Sequence, residues 1–479
     1  MKTAAVMAEV VEPGLCCGCG ICVAACPRGN LVMGWNAIGE LNPHADDLCP
    51  DSCTVCRSVC PYVADAETAD PLAAERFAAI PGVHRSRHLG YYLKCWAGYS
   101  KTSNQRANGA SGGLLTWLLE ELLRTGAVDG VLCVAPTPGR GHSLFQFVAC
   151  RTAEEVRRCS RSAYYPVEPG TLLREIMKLP DGRYAITALP CVCKALRRAQ
   201  RRLPRFRERI AYVLGLACGK NNSCFHVEAI CAATGGNPQQ MEKAVFRVKS
   251  ARHAVADFAA RIVSRAPDGT EVDRTVHWHE PGGQGIWWGP RYFTPLACDL
   301  CDDMFAECAD AVFMDAWLPE YKDWEGTNLV AVRHPKLRDV FEDAAADFCQ
   351  LRPIAARRVE LSQRTALTSK RGSLPERARI AKQAGLPVVS LRLETCKGFC
   401  RAGGRRLVRT QWALARASGR RWAECAGDLE KFRTAMRPWA SAEAAAKRRC
   451  RSLRWLTLLL HPERWLETLC RIGRRPAPR

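Results

Sequence analysis

Leucines recur at helical spacing in the stretch that begins after Gly113. The positions are Leu114, Leu115, Leu118, Leu119, Leu122 and Leu123. This spacing predicts an amphipathic helix. We expect Ser111 to cap the helix, Gly112 and Gly113 to open it, and Gly126 to end it. The apolar run VDGVLCVA follows and predicts a buried strand, and a helix followed by such a strand indicates an α/β unit.

The alternation of strand and helix patterns continues through the middle of the chain. YAITALPCVCKALRRAQRR predicts a strand, a turn at Pro190-Cys191 and a basic helix, and IAYVLGLACGK predicts another strand. Residues 240–295 alternate as strands do, and ADAVFMDAW and EGTNLVAVR add two more. Beyond about residue 335, helical patterns dominate.

We therefore predict a multidomain protein of the α+β and α/β classes, in four parts. Residues 1–65 form a cysteine-rich, ferredoxin-like module, and residues 66–90 form a linker with one helix. Residues 91–335 form an α/β core with mixed sheets, and residues 336–479 form a basic, mainly helical region.

Two cysteine runs lie in the first 61 residues, and both end in Cys-Pro. The first is C-x2-C-x2-C-x3-C-P and the second is C-x3-C-x2-C-x3-C-P. In such runs, three close thiolates wrap one cubane cluster and the fourth, before the proline, reaches the other cluster. We predict two [4Fe–4S] clusters. Their ligands are Cys16, Cys19, Cys22 and Cys60 for one cluster, and Cys49, Cys53, Cys56 and Cys26 for the other.

Zinc sites and disulfides are the alternatives to these clusters. Zinc sites favour C-x2-C pairs with a longer spacer and often include His, and a secreted disulfide framework with 27 cysteines would be unusual. Iron–sulfur clusters indicate a reducing cytoplasm. The N-terminus lacks the apolar core of a secretory signal. No apolar run of about 18 residues occurs, so we expect no membrane span.

Positive charge is concentrated at one end of the chain. Residues 370–479 hold 27 Lys and Arg against 8 Asp and Glu, which is +19 of the net charge of +22. This tail could contact an acidic electron carrier such as ferredoxin, a partner redox subunit, an anionic membrane surface or nucleic acid, or simply form solvated bundle helices. We favour solvated helices or a partner subunit, because no nucleic-acid motif occurs.

Several blocks in the middle of the chain follow one another in a recognisable order. They are Ser111-Gly112-Gly113, Pro190-Cys191, Cys218-Gly219 and Cys298-x2-Cys301-Asp302. Over residues 95–335, about half of the chain, the sequence resembles the beta-subunit family of coenzyme F420 hydrogenases and dehydrogenases. That family includes flavoprotein subunits of deazaflavin-reducing enzymes and chlorophyll-cycle reductases. The resemblance implies an FAD protein with a [4Fe–4S] cluster of its own.

The resemblance also implies which residues contact the flavin. Ser111, Gly112 and Gly113 would leave backbone N–H groups bare for the flavin pyrophosphate, although a plain serine cap with packing glycines is the alternative. Ser162 and Tyr164 are further candidates, with a surface turn as the alternative. The family usually carries Gly-Ser-Lys-Tyr where this chain has Arg161-Ser162-Ala163-Tyr164, so the lysine is missing and the use of F420 is in question. Arg161 could supply positive charge nearby.

For a third [4Fe–4S] cluster, the candidate ligands come from separate segments. They are Cys191, Cys218, Cys298 and Cys301, with Cys193 and Cys308 as possible substitutes. The alternative is that isolated cysteines serve as small buried hydrophobes. That interpretation does not suit a closely spaced C-x2-C pair.

Acidic, aromatic and histidine side chains cluster near the last cysteine pair. Asp302, Asp303, Asp310 and Asp315 could include a proton donor for flavin chemistry, or could cap helices and end strands. Trp287, Trp288, Tyr292 and Phe293 could stack on a ring system, or form core. His277 and His279 alternate on a predicted strand, and we expect them to belong to its polar face. No catalytic residue is assigned.

The leading hypothesis is an iron–sulfur flavoprotein oxidoreductase. Electrons would pass between the clusters and a two-electron partner through FAD. That partner would be an F420-like deazaflavin or an organic substrate reduced by ferredoxin. A non-catalytic electron-relay subunit is the second hypothesis, and an iron–sulfur protein that binds nucleic acid is the third.

Overall fold

The computed structural model describes residues 3–45, 49–50, 52–102, 104–137, 144–266, 268–343, 345–387, 389–393 and 402–460. The strands in this part of the chain are β1 (Leu31–Trp35), β2 (Leu41–Ala45), β3 (His84–Ser86), β4 (Gly90–Tyr92), β5 (Lys94–Ser100), β6 (Gly130–Pro136), β7 (Phe145–Cys150), β8 (Tyr184–Ala188), β9 (Ile210–Leu216), β10 (Lys243–Val248), β11 (Ala259–Arg265), β12 (Glu271–His277), β13 (Ala311–Asp315), β14 (Asn328–Val332) and β15 (Cys349–Pro353).

The α-helices alternate with these strands and then take over the end of the chain. They are α1 (Ile21–Ala25), α2 (Val55–Val59), α3 (Ala69–Phe77), α4 (Gln105–Asn108), α5 (Leu114–Arg124), α6 (Ala153–Arg158), α7 (Gly170–Ile176), α8 (Pro190–Arg202), α9 (Pro204–Arg209), α10 (Phe225–Ala233), α11 (Gln284–Trp288), α12 (Leu296–Asp299), α13 (Pro335–Asp343), α14 (Ala345–Phe348), α15 (Ala356–Ser362), α16 (Arg364–Leu367), α17 (Leu374–Gln383), α18 (Ala402–Glu424) and α19 (Leu429–Leu460). A π-helical turn, Thr368–Gly372, lies between α16 and α17.

An eight-stranded mixed sheet forms the centre of the molecule. Its strand order is β15-β5-β14-β13-β9-β8-β6-β7. The four inner strands β13, β9, β8 and β6 run parallel, while their outer neighbours pair antiparallel. Parallel neighbours need a crossover connection, and α8 supplies the one between β8 and β9. Both strands therefore end at the same edge, which is where open α/β sheets bind ligands.

The apolar pattern of these strands explains why the sheet is central. All five residues of β8 are buried, as expected for a parallel strand that is covered on both faces. The predicted leucine helix is α5, whose apolar face packs against the sheet through Leu118 and Leu122. β15 lies beyond residue 335 and pairs with β5, so the sheet draws its edge strand from the predicted helical region.

The cysteine-rich module packs directly on the core. β1 and β2 form an antiparallel pair, α1 packs against α7, and α2 packs against α8. Buried side chains of the module, such as Leu15 and Val59, belong to the same hydrophobic cluster as Ile186 and Val213 of the central sheet. The module is therefore fixed against the carboxyl edge of the sheet.

The last two described helices form a hairpin that packs against α10. Trp422 of α18 and Phe432 of α19 are fully buried in a cluster with residues of α10. The indole N–H of Trp422 donates to a carboxylate oxygen of Glu228 at 2.7 Å. This part of the basic tail therefore has a structural role, while residues 394–401 and 461–479 lie outside the described chain. None of the described helices combines the length and the apolar character needed to cross a bilayer.

Candidate functional site

The first predicted cluster site is a cavity inside the cysteine-rich module. Its lining includes the thiols of Cys16, Cys19, Cys22 and Cys60, enclosed by apolar side chains that include Val10 and Val59. The loop before α1 can turn tightly because Gly18 and Gly20 adopt φ values of +67° and +66°, which glycine adopts without steric cost. The structure thus brings together the four cysteines that we assigned to one cluster.

The second predicted site uses the other cysteine run. Burial raises the pKa of the Cys56 thiol, and its neighbours Cys53 and Cys49 add to the effect. The side-chain amide of Asn30 donates to the Cys49 sulfur at 3.7 Å. Cys26, the proposed fourth ligand, caps the C-terminus of α1.

The cysteines that precede the two prolines occupy equivalent places. Cys26 caps the end of α1 and Cys60 caps the end of α2, and both have an extended backbone with ψ of 114° and 128°. Each run therefore places its last cysteine at the C-terminal end of a short helix. This equivalence agrees with the predicted exchange of the fourth ligand between the two clusters.

A second cavity lies between the module and the carboxyl edge of the central sheet. Cys191 is the second residue of α8, which follows β8, and Cys218 follows β9, so the parallel pairing of these strands brings both to one place. Cys298 of α12 and Cys301 just after it complete the set, and all four line this one cavity. The backbone N–H of Asn221 donates to the Cys298 sulfur at 3.3 Å. The four candidate ligands of the third cluster are therefore gathered.

The two substitutes for this set lie elsewhere. The Cys193 sulfur donates to the carbonyl oxygen of Ala188 at 3.6 Å, and the Cys308 sulfur donates to that of Ala69 at 3.7 Å. Both side chains are fully buried, and they are not among the residues that line the cavity. They behave as the small buried hydrophobes that we offered as the alternative.

Cys17 joins the two cavities, and sequence reasoning missed it. Its side chain lines both of them, and sulfur–sulfur hydrogen bonds with Cys19 and Cys191 raise the pKa of its thiol well above the usual value. It therefore lies between a candidate ligand of an N-terminal cluster and a candidate ligand of the core cluster. The doubled cysteine at positions 16 and 17 is the signal that could have drawn attention to it.

Lys370 brings a buried positive charge to the core cavity. It lies on the π-helical turn, and its ammonium group donates to the carbonyl oxygen of Cys218 at 2.8 Å. Burial opposes this charge, but the surrounding thiolates, Cys301 first, outweigh burial and raise the lysine pKa. In the sequence this lysine is part of the basic tail, and its burial depends on the path of the chain after β15.

A buried arginine fixes the loop that follows Cys301. The Arg333 side chain is completely buried, and its guanidinium donates to five carbonyl oxygens at 2.8 to 3.1 Å. Those oxygens belong to Leu89, Tyr91, Phe305, Ala306 and Ala309. The arginine thereby ties the segment at β4 to the loop between Cys301 and β13.

The structure corrects the predicted opening of helix α5. Ser111 does not cap it, because its hydroxyl donates to the carbonyl oxygen of Thr327 at 2.9 Å and Gly113 is the N-cap residue. The side-chain oxygen of Asn328 accepts from the N–H of Leu114 at 3.1 Å instead.

Close packing explains why position 112 is a glycine. A Cβ added to Gly112 would lie 2.6 Å from the carbonyl oxygen of Gly98 and 2.8 Å from the backbone nitrogen of Asn328. Such distances are well inside van der Waals contact, so the loop needs glycine in order to lie this close to the paired backbones of β5 and β14. The packing alternative explains Gly112 without a ligand, and the flavin role of Ser111, Gly112 and Gly113 stays a prediction.

Tyr164 lies among aromatic rings rather than in a surface turn. Its ring makes edge contacts with Phe246 and Trp288, with centroids 5.4 and 5.5 Å apart, and stacks on Phe258 at 6.3 Å. Burial is the main reason why its pKa is raised, and Ser162 hydrogen-bonds to its hydroxyl. Of the two flavin candidates in this segment, Tyr164 is thus the more enclosed.

Four basic side chains converge beside Tyr164 and the loop before α5, and we name them the cationic pocket. They are Arg106, Arg161, Arg247 and Lys249. The Lys249 ammonium donates to the carbonyl oxygens of Arg106, Ser111 and Glu325 at 2.5 to 2.8 Å. Burial and the neighbouring guanidinium groups lower the pKa of Lys249 to about 7.

Backbone strain directs Arg247 into this pocket. It lies at a bulge in β10, where the pairing with β11 shifts register, and its φ is +60°. Its guanidinium pairs with Asp315 at 2.6 Å and lies 4.1 Å from the centre of the Phe258 ring. Bulges that redirect a side chain and non-glycine residues with positive φ both cluster at functional sites.

Three of the four aspartates near the last cysteine pair are held in ion pairs, which for Asp315 is the pair with Arg247. Asp302 pairs with Arg392 at 2.9 Å and Asp310 with Arg197 at 2.8 Å, while Asp315 ends β13. Asp303 differs, because burial and the adjacent Glu307 raise its pKa to about 6. Within the described residues, Asp303 is the aspartate of this group best suited to hold a proton near neutral pH.

The predicted aromatic segment divides into two parts. Trp287, Tyr292 and Phe293 pack in the core against Phe432. Trp288 instead contacts Tyr164, and the ammonium group of Lys220 lies 4.1 Å from the centre of its indole ring. Only Trp288 of these residues therefore lies in reach of the candidate flavin segment.

Comparison with known proteins places this geometry in a family. Residues 95–174 match the N-terminal model of the coenzyme F420 hydrogenase/dehydrogenase beta subunit, and residues 181–357 match the C-terminal model. Together they cover more than half of the chain. The chain belongs to the coenzyme F420 hydrogenase/dehydrogenase beta-subunit family, a family of oxidoreductases.

Individual relatives are distant. The chain is 24% identical over 253 residues to the coenzyme F420-dependent sulfite reductase of Methanocaldococcus jannaschii, which covers 49% of this chain and 35% of that protein. It is 23% identical over 222 residues to a subunit of the F420H2 dehydrogenase of Methanosarcina mazei, covering 44% of this chain and 55% of that protein. The chain thus spans about a third to just over half of the length of these two relatives.

A chain of the F420-reducing [NiFe] hydrogenase complex of Methanosarcina barkeri is similar in structure. It has a TM-score of 0.46 and 18% identity, and the match covers 64% of this chain and 98% of that chain.

Proposed function

We propose that this protein is an iron–sulfur flavoprotein that moves electrons between [4Fe–4S] clusters and a two-electron partner through FAD. The observation that carries the proposal is the cavity at the carboxyl edge of the sheet. Its lining includes Cys16, Cys17 and Cys19 of the module together with the four core cysteines. Candidate ligands of separate clusters therefore line the same cavity. A chain of electron carriers requires such short distances between its clusters.

The donor sets support iron–sulfur ligation. Each proposed cluster has four cysteine thiols, which is the usual ligand set of [4Fe–4S] clusters. Buried thiols resist ionisation, and the pKa of Cys218, raised by burial, is about 12. Metal binding requires thiolates and supplies the positive charge that stabilises them. Bound clusters would provide one-electron transfer, with Lys370 holding a fixed positive charge at the core cluster.

The cationic pocket supports an anionic cofactor such as FAD. Arg106 pairs with Asp323 and Glu325, and Arg247 pairs with Asp315, but within the described residues Lys249 and Arg161 form no ion pair. A phosphate group would compensate these two charges. Lys249 and Arg161 would then supply the positive charge that is missing at Ala163.

In this proposal, the aromatic side chains orient the flavin and exclude water from it. FAD would supply the conversion between single-electron and hydride transfer. Tyr164, Phe258 and Trp288 would enclose its rings, while Arg161 and Arg247 would hold the phosphates and Lys249 would add positive charge beside them. Asp303, with its raised pKa, would hold a proton close to the core cavity.

The two-electron partner is proposed to be an F420-like deazaflavin or an organic substrate reduced by ferredoxin. The names of two relatives include F420, which favours the deazaflavin. An acidic electron-carrier protein or a partner redox subunit would exchange electrons at the module. We place the protein in a reducing cytoplasm. We propose the division into residues 1–65, 66–90, 91–335 and 336–479, with β15 of the last part completing the sheet of the core.

The experiment is cofactor analysis of the anaerobically purified full chain. We expect about twelve irons and twelve sulfides per chain, since each cubane holds four irons, and FAD released on denaturation. Reduced F420 should bleach the bound flavin, and the clusters should then show signals in electron paramagnetic resonance (EPR). Clusters without flavin would contradict the enzyme and favour the relay protein. About eight irons would contradict the core cluster.

A further inference from the structure

Two histidines and an aspartate meet outside the cysteine cavities. His253 and Asp257 lie in the loop between β10 and β11, and His277 is the last residue of β12. One ligand atom from each of these three side chains lies within 4.8 Å of the other two. All three are half-buried, so an ion could reach them from solvent.

The strand prediction for the histidines was wrong in one respect. β12 ends at His277, and His279 lies in the turn beyond it, with an exposed side chain. The two side chains therefore do not share a strand face. His277 instead stacks on His253, with ring centroids 3.5 Å apart and an angle of 22° between the planes.

The hydrogen bonds fix which ring nitrogen of His277 is available. Its Nδ1 lies 2.8 Å from the backbone carbonyl oxygen of Asp257. A carbonyl oxygen can only accept, so Nδ1 carries the hydrogen and, in the neutral ring, Nε2 presents a lone pair. A metal-binding histidine almost always donates its other N–H in this way, often to a backbone carbonyl.

Asp257 and Ser250 are polar neighbours of the two rings. Asp257 lies beside the rings and contributes negative charge, and one of its oxygens accepts the backbone N–H of His279 at 3.3 Å. The Nδ1 of His253 lies 3.3 Å from the Ser250 hydroxyl, which can accept a hydrogen from it, and in that tautomer the Nε2 of His253 is available as well.

We propose that His253, Asp257 and His277 form a binding site for a divalent transition-metal ion of the zinc class. Two imidazole nitrogens and one carboxylate oxygen suit such ions, and three protein ligands leave a position open for water. Zinc holds N and O ligands at about 2.0 to 2.2 Å, so the ligand atoms must close up when the ion binds. Two of the ligands are on a loop and can make this adjustment by side-chain rotation.

The bound ion would stabilise one wall of the cationic pocket. The loop that carries His253 and Asp257 begins just after Lys249, and Phe258 follows it directly. Lys249 contacts Ser111, and Phe258 contacts Tyr164 and Arg247. A metal ion that bridges the loop and β12 would hold the side chains of Lys249 and Phe258 in place. The site itself does not depend on the proposed flavin function.

The test is zinc binding by the full-length protein with its clusters in place. The anaerobic holoprotein is titrated with Zn²⁺ after removal of loosely bound metal, and the bound zinc is counted and examined by X-ray absorption at the zinc edge. We expect about one zinc per chain with N and O neighbours at about 2.0 to 2.1 Å. Zinc in an incompletely filled cysteine site would show sulfur at about 2.3 Å instead.

Variants identify the ligands. Asp257→Asn keeps the size of the side chain and the oxygen that accepts from His279, so the loop should fold, and it should weaken zinc binding more than about tenfold. His253→Ala should do the same. His279→Ala is the matched control and should bind zinc as the wild type does. Absence of bound zinc, zinc with sulfur neighbours only, or unchanged affinity in Asp257→Asn would overturn the proposal.

Discussion

The cysteine-rich module and the core cavity both collect thiols, but they draw them from very different lengths of chain. The first three cysteines of each N-terminal run lie within eight residues, and short loops and helices bring them together. The core cavity takes Cys191, Cys218 and the pair Cys298 and Cys301 from three separate segments. The module is thus encoded by local spacing, whereas the cavity exists only after the sheet has formed.

This difference should show most clearly when a core thiol is removed. In Cys298→Ser, we expect the core cluster to be lost and iron to fall from about twelve to about eight per chain, while both N-terminal clusters remain. Iron and sulfide analysis, with EPR of the reduced protein, measures the loss. Cys308→Ser is the control, because this buried cysteine points away from the cavity and should leave the iron content unchanged. Unchanged iron in Cys298→Ser would remove Cys298 from the ligand set.

The cationic pocket provides the next largest effect. Lys249→Met should lower FAD affinity by roughly ten- to a hundredfold, because the positive charge attracts the phosphate. Two unit charges about 6 to 10 Å apart, at an effective dielectric constant of about 20, attract each other by roughly 1.5 to 3 kcal/mol. Flavin fluorescence measures the affinity of the flavin-depleted protein. Lys243→Met, at an exposed position of β10, the strand that ends just before Lys249, is the matched control.

Two further measurements separate charge from packing at Lys249. Riboflavin, which lacks phosphate, should bind equally well to the wild type and to Lys249→Met. In the wild type, FAD affinity should fall as the pH rises through about 7, because the lysine pKa is lowered to about 7 and the phosphate prefers the protonated form. The variant should lose this pH dependence. An equal loss of riboflavin binding would indicate a packing role instead.

The midpoint reduction potential should distinguish the core cluster from the two N-terminal clusters. Lys370→Met removes a positive charge next to the core thiolates, so the reduced cluster loses stabilisation and its midpoint potential should fall. A charge at about 6 Å with an effective dielectric constant of about 20 predicts a shift of roughly 100 mV. EPR-monitored redox titration measures it, with the exposed Lys382→Met as control. A shift confined to the N-terminal clusters would contradict the placement of Lys370.

The smallest expected effect concerns Cys17. We assign it no cluster, so Cys17→Ser should keep the full iron content of about twelve per chain. It should still slow electron transfer between the module and the core, because its sulfur lies between Cys19 and Cys191. Stopped-flow reduction measures the rate. Loss of four irons would make Cys17 a ligand and would exclude one of the cysteines assigned to the cluster that is lost.

The sequence was sufficient wherever a short pattern determines the structure. The leucine spacing predicted α5, and the strand-end positions of Cys191 and Cys218 allowed the core set to be proposed, because parallel strands end at one edge. β15 was not anticipated, since CQLRP is short and becomes a strand only by pairing with β5. Lys370, Cys17 and Lys249 were missed for a related reason. Their roles depend on contacts with segments that are distant in sequence, and no local pattern marks them.

The five carbonyl contacts of Arg333 have a consequence for the speed of electron transfer. A redox centre exchanges electrons quickly when its surroundings hardly move as its charge changes, that is, when the reorganisation energy is small. The arginine fixes the loop after Cys301 by donating to backbone carbonyl oxygens, which move less than solvent or the carboxylates of flexible side chains. A cluster held there would be reduced and oxidised in nearly the same geometry.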